Sequence, residues 1–324
     1  MYQIQFAAPG GPEALGHVEI PDLVPAVGEV LVENAAVGVN FIDCYQRSGL
    51  YPLPLPGCPG VEAVGIVVAR GDAVDTLEVG QRVMWFSRAG GAYASHSLVP
   101  AANAMPVPAG IPDQTAASFI NKGLTAWYLL HRSGPVKAGE QALIYAAAGG
   151  VGQILTQWAR AIGVRVIAVV GTPEKAEIAR ACGAEHVLLA DSDIPTRVRE
   201  LTAGLGVPVV YDSVGKATFF ASLDSLARHG TMVTYGNASG PPPAIAPAEL
   251  AKRGSLKLTR PILFDFIEDR ATFTEATEAL CARLAAGDVD IRIGRTLPLE
   301  HAAEAHRLLE SRQTTGCTVL LPCA

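Results

Sequence analysis

The chain has 324 residues, of which 49% are hydrophobic and 17% charged, and this provides enough apolar side chains for about two domains with buried cores. The formal net charge of -6 argues against a nucleic-acid-binding protein, because phosphate contacts need a basic surface. Apolar runs are shorter than the roughly 18 residues of a membrane helix, residues 1–21 do not resemble a signal peptide, and the six cysteines show no close pairing, so we expect a reduced, cytoplasmic protein.

The first third of the chain consists of short alternating or apolar runs separated by glycine and proline. These runs predict strands at 3–7, 29–37, 64–70, 82–86 and 92–99. Such a texture is typical of an irregular β-barrel.

From about residue 122 the strand and helix patterns alternate. The predicted strands are 143–147, 164–170, 186–190, 207–211, 230–235 and 256–259, and helices are predicted from the turn at 149 up to Gly163 and at 173–182, 194–203 and 217–228. This alternation indicates an α/β domain with a doubly wound parallel sheet, whose ligands lie at the carboxyl ends of its strands.

The last part of the chain is predicted to be helical at 266–286 and 301–311 and to end in a strand at 317–321. That strand has no neighbouring partner in the sequence, so we expect it to return to the first domain. The predicted domains are therefore 1–121 with 261–324, and 122–260.

A glycine-rich turn separates the strand at 143–147 from the helix that follows it. The turn contains Gly149, Gly150 and Gly152, and Ala147 occupies the first position of the G-x-G-x-x-G pattern. Glycines at such a turn let the backbone approach a pyrophosphate, and the amino end of the helix attracts its negative charge. We therefore predict a dinucleotide site here, although an ordinary tight turn is the alternative.

The residues after the second strand of this domain indicate which nucleotide binds. Enzymes that use NADH usually carry an acidic residue there, about 20 residues after the turn, whereas this chain has Gly171 and Thr172. Glu174 belongs to the start of the next helix, and Lys175 is placed to meet a 2′-phosphate. The sequence favours NADPH; a solvated lysine at 175 is the alternative.

Several motifs now support a family resemblance. PGVEAVGIV at 59–67, VGQRV at 79–83 and AAAGGVG at 146–152 resemble the medium-chain dehydrogenase/reductase superfamily. Within it, GVNFIDCYQRSGLYP at 38–52, NKGLTAWYLL at 121–130, VYDSVG at 210–215, YGNASG at 235–240, LTRP at 258–261 and ESRQTTG at 310–316 resemble the quinone oxidoreductase, or zeta-crystallin-like, family. The resemblance implies a Rossmann-type nucleotide domain, a GroES-like catalytic domain and a homodimer.

The same superfamily includes zinc alcohol dehydrogenases, whose metal-binding motif has a histidine in G-H-E. The corresponding residues here are Gly60, Val61 and Glu62, so the histidine is missing and we predict no metal site. Convergence of Cys44, Cys58 and Glu62 on a metal is the alternative.

By resemblance, the segment from residue 40 to 51 borders the nicotinamide. We expect Asn40 to position the cofactor, Asp43 to orient this loop, and Tyr45 and Tyr51 to frame a quinone and donate to its oxygen. Arg260 is expected to supply a positive charge nearby. The alternatives are buried tyrosines with satisfied hydroxyls and a structural ion pair between Asp43 and Arg47.

The resemblance also assigns the residues that contact the cofactor. The glycine turn and the 2′-phosphate site contribute Gly149, Gly150, Val151, Gly152, Thr172 and Lys175, and the other candidates are Asn40, Thr125, Tyr235, Gly236, Asn237, Ser239 and Arg312. Ala190 stands where the family often has a tyrosine, which removes one phosphate contact.

The predicted function is NADPH-dependent reduction of quinones without a metal. One alternative is an NADPH-dependent reductase of enones and enals, which would use the same cofactor and the same hydrogen-bond donors. The other is a non-catalytic NADPH-binding module.

Overall fold

The structure is a computed structural model that describes residues 1–322; Cys323 lies outside the described residues. Its strands are β1 (Tyr2–Gln5), β2 (Gly16–Glu19), β3 (Glu29–Val39), β4 (Glu62–Arg70), β5 (Arg82–Phe86), β6 (His96–Pro100), β7 (Ala104–Pro106), β8 (Gln141–Tyr145), β9 (Arg165–Val170), β10 (His186–Leu189), β11 (Val207–Asp212), β12 (Leu226–Thr234), β13 (Lys257–Thr259), β14 (Ile293–Pro298) and β15 (Cys317–Leu321).

The α-helices are α1 (Phe41–Arg47), α2 (Asp113–Tyr128), α3 (Gly150–Ala161), α4 (Pro173–Ala181), α5 (Ile194–Leu201), α6 (Phe219–Asp224), α7 (Pro247–Lys252), α8 (Leu263–Phe266), α9 (Arg270–Ala285) and α10 (Ala302–Glu310). Short 3-10 helices occupy Pro12–Ala14, Ala101–Asn103 and Leu299–His301, and a π-helical turn occupies Leu129–Ser133. Within the described residues, none of these helices combines the length and apolarity needed to cross a bilayer.

The chain forms two compact units. Unit 1 contains Met1–Asn121 and residues 291–322, and unit 2 contains Lys122–Asp290. The first boundary coincides with the predicted one after residue 121. The second does not: residues 261–290 were predicted to belong with 1–121, but they lie in unit 2. One reason is that Leu280 of α9 packs against Gly123 of unit 2. A Cβ added to Gly123 would stand only 2.3 Å from Leu280 Cδ2.

Unit 1 is built on a seven-stranded sheet in the order β14-β15-β3-β4-β5-β7, with β6 also paired to β3. The β15 strand pairs antiparallel with β3, from Thr318 opposite Val39 to Leu320 opposite Val37. The prediction that the last strand returns to the first domain is therefore confirmed. The core of unit 1 is made of apolar side chains from these strands, among them Val32, Val67 and Trp85. This agrees with the alternating pattern of the sequence.

A short helix in unit 1 replaces the loop predicted at 40–51. Asn40 precedes α1, and its backbone N–H donates to Asp43 Oδ2 at 2.7 Å, while Arg47 lies in the last turn. An acidic side chain at the third helical position that accepts from the residue before the helix is half of a capping box. The spacing of Asn40 and Asp43 was the overlooked signal for this helix.

Unit 2 contains a six-stranded sheet in the order β10-β9-β8-β11-β12-β13, and all its pairs are parallel. The strand order reverses between β8 and β11, which makes the carboxyl ends of these two strands the topological switch point where ligands bind in such sheets. The helix predicted at 217–228 is shorter than expected, because α6 ends at Asp224 and β12 begins at Leu226.

Candidate active site

The glycine-rich turn of unit 2 follows β8 at the switch point. Ala146 adopts a left-handed conformation with φ of 52°, and Gly149 N donates to Ala146 O at 2.9 Å. Helix α3 then begins at Gly150, with Gly149 as its N-cap. The first N–H groups of an α-helix have no partner within the helix, so Gly150, Val151 and Gly152 supply amide donors and the positive end of a helix dipole.

Gly152 shows that this turn has room for backbone only. A Cβ at this position would stand 2.3 Å from Ala146 O and 2.7 Å from Ala147 Cα, both of them backbone atoms. The absence of a side chain lets the helix lie directly on the turn. The close approach, the free amide donors and the switch point together fit the diphosphate of a dinucleotide.

The residues after β9 form the second part of the nucleotide site. The strand ends at Val170, and Thr172 then caps α4 by accepting from Lys175 N at 3.3 Å. This bond also fixes Lys175 in the first turn of α4. The Thr172 side chain, followed by the Glu174 backbone, lowers the pKa of the exposed Glu174 carboxyl, in line with its interpretation as a helix-start residue. Gly171 and Thr172 place no carboxylate directly after the strand, which agrees with the preference for NADPH expected from the sequence.

The loop after β11 is organised by a buried carboxylate that the sequence analysis did not single out. Asp212 Oδ1 accepts from Val214 N at 2.7 Å and Gly215 N at 3.1 Å, and Oδ2 accepts from the hydroxyls of Thr218 and Ser222, each at 2.7 Å. The Asp-Ser pattern after a buried strand was the available signal. This carboxylate holds the 213–218 loop at the switch point.

The predicted cofactor residues after β12 are tied to that same loop. Tyr235 N donates to Asp212 O at 2.8 Å, and a Cβ on Gly236 would stand 2.3 Å from Ser213 O. The Ser239 hydroxyl donates to Val214 O at 2.8 Å and accepts from Ala217 N at 2.9 Å. Ser239 therefore holds the loop in shape, in addition to its predicted place beside the cofactor.

Arg260 connects β13 with the end of β12. Its Nη1 donates to Thr234 O at 3.0 Å, and its Nη2 donates at 3.2 Å to the Asn237 side-chain oxygen when that amide is oriented to satisfy both of its groups. Within unit 2 these bonds join Arg260 to Asn237 and to Thr234, the residue before Tyr235. Thr125, the remaining predicted cofactor residue of this unit, is a buried residue of α2.

In unit 1 the predicted substrate residues gather around α1. The rings of Tyr45 and Tyr51 meet edge to face with their centroids 5.4 Å apart, and Phe41 lies 6.1 Å from Tyr45. Tyr51 N donates to Tyr45 O at 3.0 Å, which ties the segment after the helix back to its last turn. These contacts form an aromatic cluster with two phenol groups.

The Asn40 side chain is held from two sides by groups of unit 1, the buried Glu62 and the half-buried Asn121. Its Nδ2 donates to Glu62 Oε1 at 2.9 Å, and its Oδ1 accepts from Asn121 Nδ2 at 2.8 Å. The other Glu62 oxygen accepts from Asn121 N at 2.8 Å. Glu62 is fully buried, and Gly38 makes room for it, because a Cβ there would stand 2.5 Å from Glu62 Oε1.

A second network of hydrogen bonds ties α1 to Tyr93 and to α10. Asp43 Oδ2 accepts from the Tyr93 hydroxyl at 3.2 Å, and that hydroxyl lies 2.9 Å from His306 Nε2. His306 Nδ1 lies 3.1 Å from Arg47 Nη1, and Arg47 makes two hydrogen bonds to the Glu310 carboxylate, the shorter at 2.6 Å. The ion pair considered between Asp43 and Arg47 is therefore wrong: Arg47 pairs with Glu310 of α10.

Burial sets the charge states in this network. His306 is fully buried, and burial followed by the positive charge of Arg47 lowers its pKa to about 3. Burial, together with the nearby Asp43, raises the pKa of the Tyr93 phenol. At neutral pH the series of hydrogen bonds from Asp43 to Arg47 thus passes through two uncharged groups, the Tyr93 phenol and the His306 imidazole.

Of the three residues considered as metal ligands, Glu62 and Cys58 have other partners, and Cys44 is a buried thiol. The Glu62 carboxylate binds Asn40 and Asn121, and Cys58 Sγ lies 3.5 Å from the carbonyl of Tyr93. Burial raises the pKa of the Cys58 thiol to about 12 and also raises that of Cys44, which opposes the thiolate form that binds metals. Among residues 1–322, no group of three or more His, Cys, Asp and Glu side chains is arranged to hold a metal.

Arg312, the last of the predicted cofactor residues, follows α10 in unit 1. It has a left-handed backbone with φ of 60°, and its N–H donates to Leu309 O at 3.1 Å. The φ value marks the helix end, where such a conformation is common.

Two family models match the chain, one in each part. The alcohol dehydrogenase GroES-like domain matches residues 26–109, and the zinc-binding dehydrogenase model matches residues 150–280. Together with the parallel sheet, these matches confirm the predicted fold class of a Rossmann-type domain and a GroES-like domain.

Known proteins resemble the chain from end to end. Quinone oxidoreductase 1 of Escherichia coli is 46% identical, with 99% of each chain covered. The 2-haloacrylate reductase of a Burkholderia species is 42% identical, with 97% of each covered. The crystal structure of Escherichia coli quinone oxidoreductase complexed with NADPH superimposes with a TM-score of 0.97, at 44% identity, covering 99% of this chain and 100% of that one.

Proposed function

The chain belongs to the quinone oxidoreductase family of the medium-chain dehydrogenases/reductases, and from this premise we propose that it reduces quinones with NADPH and without a metal. The observation that carries the proposal is the glycine turn of unit 2, which fits a diphosphate at the switch point in a chain 46% identical to a quinone oxidoreductase over 99% of its length. The cofactor, when bound, supplies the hydride.

In the proposed reaction the protein binds, orients and protects the reactants. The amides of Gly150 to Gly152 hold the diphosphate, and Lys175 with Arg312 holds the adenosine phosphate. Asn40, Thr125 and the residues after β12 place the nicotinamide. Such positioning supplies much of the rate enhancement when the substrate accepts hydride readily, as a quinone does because its reduction produces an aromatic ring.

Tyr45 and Tyr51 are proposed to complete the site. Their edge-to-face rings supply apolar surface for a planar quinone, and their hydroxyls donate to the quinone oxygen on which negative charge develops. Arg260, held by Thr234 O, adds a positive charge. No histidine takes part, and His306 is committed to the buried network under α1.

Steady-state NADPH oxidation against matched panels of quinones and enones tests this function. We expect turnover of quinones with NADPH preferred over NADH, retained in the presence of a metal chelator. Tight NADPH binding without turnover of either panel would instead indicate the non-catalytic binding module, and loss of activity with the chelator would contradict a metal-free mechanism.

A second candidate is reduction of the carbon–carbon double bond of α,β-unsaturated carbonyl compounds. The 42% identity to a 2-haloacrylate reductase over 97% of the chain favours it, because the hydride and the hydrogen-bond donors at the carbonyl would be used in the same way. Higher kcat/KM for enones, enals or 2-haloacrylates than for quinones would establish this candidate.

Loss of the Tyr51 hydroxyl is expected to slow catalysis without disturbing cofactor binding. In Tyr51→Phe the ring still packs on Tyr45, so we expect kcat/KM for quinones to fall about tenfold while the Kd for NADPH stays unchanged. Tyr2→Phe is the matched control, since Tyr2 donates its hydroxyl to Pro322 O in another part of unit 1. Equal quinone kinetics in wild type and Tyr51→Phe would remove Tyr51 from the site.

Loss of the Lys175 ammonium group is expected to erase the cofactor preference. A charge-assisted hydrogen bond to the 2′-phosphate implies that Lys175→Ala raises the Kd for NADPH about tenfold and leaves that for NADH unchanged, as fluorescence titration would measure. The control is Lys252→Ala, which removes an exposed lysine paired with Glu249. An unchanged ratio of the two dissociation constants would contradict the assignment.

We further propose a homodimer, as the family resemblance suggests, and a cytoplasmic location, as the cysteines without close pairing suggest. Sedimentation velocity of the purified protein tests the dimer, and fractionation of the cells that produce it tests the location. A monomer at micromolar concentration would contradict the first of these.

A further inference from the structure

The hydrogen bonds among Asn40, Glu62 and Asn121 fix the orientation of the Asn40 amide, that is, which of its two groups faces Glu62. Glu62 Oε2 accepts from the backbone N–H of Asn121 at 2.8 Å, and a backbone N–H is a donor in any orientation. Glu62 Oε1 faces the Asn40 amide at 2.9 Å. Because a carboxylate only accepts, the group facing it must be the Asn40 nitrogen.

The two hydrogens of that nitrogen are therefore already committed. One goes to Glu62 Oε1, and the other points toward Gly38 O, 3.4 Å from the nitrogen. The Asn40 oxygen accepts a single hydrogen bond from the described residues, that of Asn121 Nδ2 at 2.8 Å. An amide oxygen has two lone pairs, so the remaining hydrogen-bonding capacity of the Asn40 side chain is that of an acceptor.

We infer that Glu62 is a positioning residue, which fixes the orientation of the Asn40 side chain. In this orientation the Asn40 oxygen accepts a hydrogen bond from the nicotinamide riboside half of the cofactor, whose donor groups are the ribose hydroxyls and the carboxamide N–H. This inference rests on the proposed function, in which Asn40 contacts NADPH. Glu62 occupies the acidic position of the motif that binds zinc in the metal-dependent relatives, and here its carboxylate orients an amide.

The chemistry of Glu62→Gln makes the inference testable. The two donors face different oxygens of Glu62, Asn40 Nδ2 facing Oε1 and Asn121 N facing Oε2. The new side chain has an NH₂ group in place of one of these oxygens, so it accepts from only one of the two donors in this geometry. If it keeps the Asn121 bond, its NH₂ group faces that of Asn40, and Asn40 must turn over or withdraw. A turned amide would place its NH₂ group where its oxygen stood, facing the Asn121 side chain, so Asn40 would offer the cofactor a donor in place of an acceptor even if the Asn121 amide turned as well.

The experiment compares the binding of NADPH and adenosine 2′,5′-bisphosphate, which lacks the nicotinamide riboside half, by titration. In Glu62→Gln we expect the Kd for NADPH to rise about tenfold and the Kd for the bisphosphate to stay within twofold of wild type. Asn40→Ala should give the same selective loss, and Glu62→Gln should add nothing to it. Glu29→Gln is the matched control, because Glu29 is a carboxylate of the same unit that accepts from the Ala26 N–H.

A rescue variant tests the geometry directly. Asn40→Asp combined with Glu62→Gln exchanges the carboxylate and the amide, so that position 62 donates to position 40, which still accepts from Asn121 Nδ2. We expect this double variant to return the Kd for NADPH to within threefold of wild type.

Three outcomes would overturn the inference: equal losses for both ligands, an unchanged Kd for NADPH in Glu62→Gln or Asn40→Ala, or a double variant no better than Glu62→Gln. If Glu62→Gln does not fold, the selectivity of Asn40→Ala and the recovery of the double variant still decide the matter. Failure of the proposed function would instead be visible in the wild type, as absence of NADPH binding or of quinone turnover.

Discussion

Replacing Gly152 with valine is expected to weaken NADPH binding by roughly 100-fold, because the added side chain must displace backbone. A Cβ at this position would stand 2.3 Å from Ala146 O and 2.7 Å from Ala147 Cα. The start of α3 would have to move away from the turn, and the amides of Gly150 and Val151 would no longer converge on the diphosphate. Titration of NADPH fluorescence against the variant measures the loss, and Gly152→Ala should lie between the variant and wild type.

The control for this prediction is Gly16→Ala in β2, where an added Cβ meets no atom within 4 Å. Its Kd for NADPH should equal that of wild type. Circular dichroism of each variant separates loss of binding from loss of folding. A folded Gly152→Val protein with wild-type affinity would show that the diphosphate is held elsewhere.

The second expected result is an acid-induced loss of stability that depends on His306. Its pKa is about 3 in the folded protein, against a usual value near 6.5 for an exposed histidine. Between these values the unfolded chain binds a proton that the folded protein does not. The contribution of His306 to the free energy of unfolding is therefore fully present above pH 6.5 and decreases as the pH falls toward 3. From pH 7 to pH 5 we expect this histidine to account for about 2 kcal/mol.

The measurement is urea unfolding of wild type and His306→Gln at pH 7 and pH 5. The variant lacks the titrating imidazole, so it should lose about 2 kcal/mol less than wild type over this interval, whatever its stability at pH 7. His301→Gln is the control, since His301 is half exposed at the start of α10. The same pH dependence in wild type and His306→Gln would exclude the buried imidazole as its source.

The cofactor half of the candidate site was the more predictable half because its residues are close in the sequence. The strand, turn and helix around Gly149 to Gly152 and the end of β9 with Lys175 are each contained in a short segment, and hydrophobic periodicity with glycine position reports such local structure. The boundaries of α6 and the domain assignment of 261–290 were wrong, since they depend on packing between segments far apart in the chain.

The substrate half shows what local patterns miss. The residues of helix α1 were interpreted as a loop, and a local ion pair between Asp43 and Arg47 was the alternative considered for these two residues. In the structure Arg47 pairs with Glu310, and the Glu62 carboxylate joins Asn40 and Asn121, residues that no local spacing relates to it.

The sequence by itself determined the order of the elements, the phosphate turn, the absence of an acidic residue after β9 and the family, because each is written in contiguous residues or in motifs of fixed order. Only the tertiary structure decided how Asn40 is oriented, which partner Arg47 takes and that His306 is buried. Those features depend on hydrogen bonds between residues as far apart as Arg47 and Glu310. Folding alone brings such groups within bonding distance, and burial then selects the partners that satisfy them.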